Sequence, residues 1–246
     1  MKMKTAQSLA IFALIFAACS SDDSTSTDDA SGTTATDGTG GTSGTTATDG
    51  TSTETTTYRG EVWADNWSSM YVGTTKVMED SVSITTERSF NAETFTFEAT
   101  RPFLLNVVMK DYKANDSGLE YIGAGNQQMG DGGYIAQITE VSTGSVVAVS
   151  NAQWKCLTTH IAPLDKSCEG SSDPTNDCTW ETTEEPADWK NDDFDDSGWV
   201  NPTVHSEAAV SPKDGYDEIT WDSAAALIWG ADLETHNTLL CRVWVN

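Results

Sequence analysis

The chain has 246 residues and a formal net charge of -25, from 38 acidic against 13 basic side chains. Nucleic acid is excluded as a partner by that balance, because its phosphates would be repelled on approach. The remaining composition is uneven along the chain, and its changes mark three segments.

Lys2 and Lys4 precede an apolar run from Leu9 to Phe16, which Ala17, Ala18 and Cys19 close with small residues. The run falls well short of the roughly 20 residues a helix needs to cross a bilayer, so residues 1–18 read as a secretory signal. The order of basic start, apolar run, two alanines and cysteine resembles the signal peptide of bacterial lipoproteins, with Phe16 where leucine is usual. That resemblance implies that Cys19 becomes an acylated, palmitate-bearing N-terminus held in a membrane. Ser20 stands where an aspartate would favour inner-membrane retention, which implies delivery to the outer membrane of the cell envelope.

Residues 19–57 follow as the acylated cysteine and a tract of Ser, Thr, Gly, Ala and Asp, in which the nonamer Ser31 to Thr39 recurs unchanged from Ser43 to Thr51. Low apolar content and negative charge predict a disordered tether. As a flexible coil it spans roughly 35 Å root-mean-square, enough to lift a domain clear of lipid headgroups.

Residues 58–246 hold all nine tryptophans and every remaining cysteine. Seven of the 38 acidic residues fall in the tether, which leaves 31 against 11 basic residues in this domain. Strands are expected at Val82 to Thr86, Thr94 to Ala99, Phe103 to Lys110, Tyr134 to Val141, Ser145 to Ser150 and Leu239 to Val245, from β-branched and aromatic residues between turn signals. Thr94-Phe95-Thr96-Phe97 alternates with period two, while Phe103 to Met109 reads as buried on both faces. With no helical stripe of three turns, the expected fold is all-β: a single antiparallel β-sandwich or jelly roll after the tether. Cys156, Cys168, Cys178 and Cys241 form an even set in an exported domain and are expected as two disulfides, with three pairings open.

Two groups of residues carry a second resemblance. Val62-Trp63-Ala64-Asp65-Asn66-Trp67 through Gly73 is followed by Gly132-Gly133-Tyr134-Ile135-Ala136, and Trp189 precedes Phe194-Asp195-Asp196-Ser197-Gly198-Trp199. In this order they are similar to the galactose-binding-domain-like jelly rolls attached to many glycan-active proteins. The resemblance implies a fold whose members bind sugars, calcium, lipids or protein partners, so the ligand must be argued from residues.

Trp63, Asp65, Asn66 and Trp67 are the candidate ligand-binding residues, since an aromatic face can stack on a sugar ring while carboxylate and amide bond its hydroxyls. In a regular strand positions 63, 65 and 67 share one face. Asp193 and Asp195 are a candidate calcium site, because Asp193-Phe194-Asp195-Asp196-Ser197-Gly198 sets oxygen donors at alternate positions before a glycine. Val204 occupies the position of an EF-hand's bidentate glutamate, so any such site is of another type. The acidic loops around Asp111, Asp116 and Glu120, and around Asp214, Asp217 and Glu218, hold carboxylates that could pair for acid–base chemistry. His160, His205 and His236 stand far apart, and no nucleophile or phosphate-loop motif occurs. The sequence therefore predicts a surface-anchored, non-enzymatic protein with no catalytic residues that binds carbohydrate. The alternatives are docking to an envelope protein without free sugar, or metal binding.

Overall fold

The computed structural model describes residues 54–84 and 91–246, so the signal segment, Cys19 and nearly all of the tether lie outside the described residues. In chain order the strands are β1 (Thr56–Asp65), β2 (Trp67–Val72), β3 (Thr75–Glu79), β4 (Asn91–Ala99), β5 (Phe103–Lys110), β6 (Leu119–Glu120) and β7 (Gln128–Met129). They continue as β8 (Gly133–Glu140), β9 (Val146–Val149), β10 (Lys155–Ile161), β11 (Glu181–Thr182), β12 (Thr203–His205), β13 (Leu227–Trp229) and β14 (His236–Val245). One sheet runs β12-β13-β8-β1-β4 with β9 joined to β8, and the second runs β11-β10-β14-β5-β2-β3. All named pairings are antiparallel, and the two sheets form the β-sandwich expected from the sequence.

Period-two alternation builds the interior. Tyr58, Val62 and Ala64 of β1 and Tyr134, Ala136 and Ile138 of β8 meet Leu105, Val107 and Met109 of β5 and Leu239, Cys241 and Val245 of β14 between the sheets. Each of the Val, Leu, Ile and Met side chains among them contributes about 1.5–3 kcal/mol through burial of apolar surface, and the alanines less. The residues of opposite parity are also covered. Trp63 and Ile135 on the first sheet lie with Leu227 beneath Val210, Tyr216 and Trp221, while Val108 and Leu240 on the second sheet pack with Trp189, Phe194 and Trp199. Chain segments thus close the outer face of each sheet, which is why β5 reads as an unbroken apolar run. On the edge strand β4, Thr94, Thr96 and Glu98 face solvent while Phe97 and Ala99 turn inward.

The strand expected at Val82 to Thr86 is not formed by its described part. The Val82 amide donates to Asp80 Oδ1 at 3.0 Å, and this local turn bends the chain away from any ladder. The four domain cysteines form Cys156–Cys241 and Cys168–Cys178. Cys156 and Cys241 are cross-strand neighbours on β10 and β14, whereas Cys168–Cys178 closes a short loop after β10. Loop-closure entropy assigns them about 4–5 and about 3 kcal/mol respectively.

Candidate functional site

The Ala-Asp-Asn segment falls where the chain changes sheets. β1 ends at Asp65 in the first sheet, the Asp65–Asn66 peptide is cis, and β2 begins at Trp67 in the second. The sheet change separates the candidate residues, because the regular strand that would set Trp63, Asp65 and Trp67 on one face stops at Asp65. Trp63 is wholly buried, donates from Nε1 to the Asp214 carbonyl at 3.1 Å and meets Tyr216 edge-on. Trp67 is half-buried in the opposite layer beside Trp189 and Trp199, with Lys110 Nζ 5.0 Å from its ring centre. Asn66 is used locally: its amide donates to the Lys110 carbonyl at 3.0 Å and its Oδ1 accepts from the Tyr112 amide. These four residues therefore do not form an open sugar platform.

Asp65 instead joins an acid cluster. Asp65 is fully buried, and Asp111, just beyond β5, and Glu120, on β6, are nearly so. Asp131, in the Gly-Asp-Gly turn before β8, is partly exposed. Among the described residues no close hydrogen bond reaches the carboxyl oxygens of Asp65 or Asp111, for which Lys213 and the Tyr112 amide respectively are only weak, longer partners. Lys213 Nζ stands 3.7 Å from Asp65 Oδ2 and 3.2 Å from Asp131 Oδ2. Burial pushes the Asp65 carboxyl well above the usual carboxylate range; Asp131 and Glu120 add to this, and Lys213 opposes it. Burial and then Asp65, Glu120 and Asp131 raise Asp111 in the same way. Burial works against the Lys213 ammonium, but Asp65 and Asp131 outweigh it and raise its pKa. Gly130 seals the cluster, since a Cβ there would lie 2.0 Å from Asp111 Oδ2. The sequence groups Asp111 and Glu120 with Asp116 in one acidic loop; Asp65, Asp131 and Lys213 join Asp111 and Glu120 only through the fold.

The Phe194 to Trp199 turn is held by a buried arginine. Arg242 Nη1 donates to the Phe194 carbonyl and Asp196 Oδ2 at 3.1 and 2.6 Å, and Nη2 donates to the Asn191 carbonyl at 2.6 Å. Asp195 Oδ1 accepts from the Ser197 amide at 3.0 Å, and the Ser197 hydroxyl first and this amide second lower the pKa of its carboxyl. Asp193 and Asp195 are both exposed. Among the described residues no three His, Cys, Asp or Glu side chains are grouped so as to hold a metal ion. The three histidines are engaged separately: His160 lies 3.6 Å from Asp116, His205 Nε2 lies 2.9 Å from the Gly230 carbonyl and His236 Nδ1 lies 3.2 Å from Thr158 Oγ1.

An open concavity lies elsewhere, where β9 of the first sheet meets the end of β14. It encloses about 290 Å³ and is lined by Val146 to Val149, Asn151, Gln153, Asp222, Ala224, Val243 and Trp244. Trp244 is 42% exposed although it belongs to a central strand, β14, which fixes its backbone. The surrounding turns are tied down. Trp154 is buried and donates from Nε1 to the Val149 carbonyl at 2.9 Å, which sets the Asn151 turn. Asp222 donates its amide to Gln137 Oε1 at 2.7 Å, and Ser150 and Ala226 exchange hydrogen bonds at 2.7 and 2.9 Å. Sequence reading missed this set because its members come from separate segments. The available signal was Trp244, an aromatic residue sharing strand parity with Leu240 and Arg242. No family model, curated protein or solved structure matches the chain.

Proposed function

We propose that this chain is a lipoprotein of the cell envelope, acylated at Cys19, whose β-sandwich is a non-enzymatic carbohydrate-binding domain. The observation that carries the binding reading is the concavity at Trp244: an exposed tryptophan in the same lining as amide and carboxylate side chains combines ring stacking with hydroxyl recognition. Its walls combine valine and alanine side chains with Asn151, Gln153 and Asp222, polar groups held by the turns that bear them. Burial of Asp65 and Asp111 favours binding over hydrolysis, because a substrate has no access to these carboxyls. Closure of both outer sheet faces leaves an edge site as the natural place for a ligand.

Binding of the full-length chain to a glycan array tests this reading. Saturable binding is expected, with Trp244→Ala weakening it about tenfold at unchanged melting temperature. Retrieval of an envelope protein with no glycan bound at any concentration would instead favour the docking alternative. For the anchor, labelled palmitate is expected in the wild-type chain and absent from Cys19→Ser.

A further inference from the structure

We infer that the Trp244 concavity selects uncharged saccharides and rejects uronate or sulfated ones. The inference rests on the carbohydrate reading above and assigns the ligand class of that same site. Among the described residues no Lys or Arg lines the concavity, and the one charged side chain there is Asp222. Sites that capture carboxylate or sulfate use a cation, usually arginine, to offset the desolvation of the anion. Here the incoming anion meets a carboxylate instead.

Hydrogen bonds already made inside the site decide what remains for a ligand. Asp222 Oδ1 accepts from the Ala224 amide at 2.8 Å, which leaves Oδ2 as an acceptor for sugar hydroxyls. Asn151 Oδ1 accepts from the Gln153 amide at 2.8 Å, which leaves Asn151 Nδ2 as a donor. The exposed Gln153 side chain supplies a further amide at the rim. One acceptor and two amide groups in the same lining as Trp244 match a pyranose that lays its C–H face on an indole and presents neutral hydroxyls to the rim. The surrounding field acts in the same direction, since 31 acidic residues face 11 basic ones in residues 58–246.

Calorimetry of the full-length chain tests the selection with two probe sets: neutral gluco-, manno- and galacto-oligosaccharides, and oligogalacturonate, oligoalginate and heparin fragments, all at physiological salt. Neutral probes are expected to bind, and anionic probes to bind at least about tenfold more weakly. Asp222→Asn is expected to weaken neutral binding about tenfold, by replacing a charged acceptor with a neutral one. Anionic probes that bind as tightly as neutral ones overturn the inference and leave the carbohydrate reading standing. Neutral binding unchanged in both Trp244→Ala and Asp222→Asn also overturns it, by placing the sugar elsewhere. Binding to neither set overturns the carbohydrate reading itself.

Discussion

Arg242 on one side of the molecule and the Asp65–Asp111 pair on the other are both buried charged-type groups, yet their surroundings are opposite. Arg242 Nε donates to Asn106 Oδ1 at 3.2 Å, and its two terminal nitrogens reach Phe194, Asp196 and Asn191. Asn106, itself buried, donates to the Gly73 and Lys190 carbonyls at 2.9 and 3.0 Å. Asp65 and Asp111 have no close hydrogen bond among the described residues and face Glu120 and Asp131, with Lys213 and the Tyr112 amide as weak partners. A low-dielectric interior rewards a satisfied ion and penalises an unsatisfied one. The first network therefore fastens the Phe194 turn onto the second sheet, and the second is stable chiefly with its acids protonated.

Breaking the satisfied network has the largest expected effect. Arg242→Met leaves Asp196 and two loop carbonyls without their donor, and a loss of about 3–5 kcal/mol is expected in urea unfolding with the disulfides intact. A loss below about 1 kcal/mol, the range of an exposed ion pair, would show that the Phe194 turn does not depend on Arg242. Asn106→Leu keeps the volume but orphans Arg242 Nε and the Gly73 and Lys190 carbonyls. It is expected to cost about 1–3 kcal/mol, and Arg242→Met combined with Asn106→Leu should cost less than the two losses added. Strict additivity would mean that the two side chains do not act as one network.

The same contrast governs what the sequence made legible. β5 stands out because apolar residues fill both parities, and β4 because Phe95 and Phe97 alternate with threonine; each signal is local. The aromatic and turn roles of Phe194, Asp195, Ser197 and Trp199 follow from their spacing for the same reason. Arg242 lies 46 residues beyond Asp196, so nothing local announces it as the holder of that turn. The reading of Trp63 to Trp67 as one strand assumed continuous alternation, which the change of sheet after Asp65 interrupts. The acid cluster draws on β1, the end of β5, β6, the turn before β8 and the Lys213 loop, and such convergence appears only after folding. The concavity at Trp244 is hidden likewise, with only a tryptophan between Val243 and Val245 to mark it.

The smallest expected effect concerns the unsatisfied acids, and its sign runs opposite to that of the arginine network. Asp111 has a folded pKa raised well above its unfolded value, by burial first and then by Asp65, Glu120 and Asp131. The stability this protonated group favours is fully present below the unfolded pKa, near 4, and is lost as pH rises toward the folded pKa. Each pH unit in that window costs up to about 1.4 kcal/mol per group, because unfolding releases the proton. Asp111→Asn keeps the shape of the protonated acid and removes the titration. Relative to wild type it is expected to gain stability as pH rises from 5 to 8, with a slope of at most about 1.4 kcal/mol per pH unit. The comparison cancels contributions common to both proteins: burial lifts Asp80 to about 6, and burial lowers His160 and His236, whose effect on stability runs the other way with pH. Lys213 has a raised pKa and keeps its charge across this range. A difference between the two proteins that stays flat from pH 5 to pH 8 would mean that Asp111 is already ionised in the folded chain. In that case the cluster holds its negative charge against Lys213, and the contrast with Arg242 is one of geometry alone.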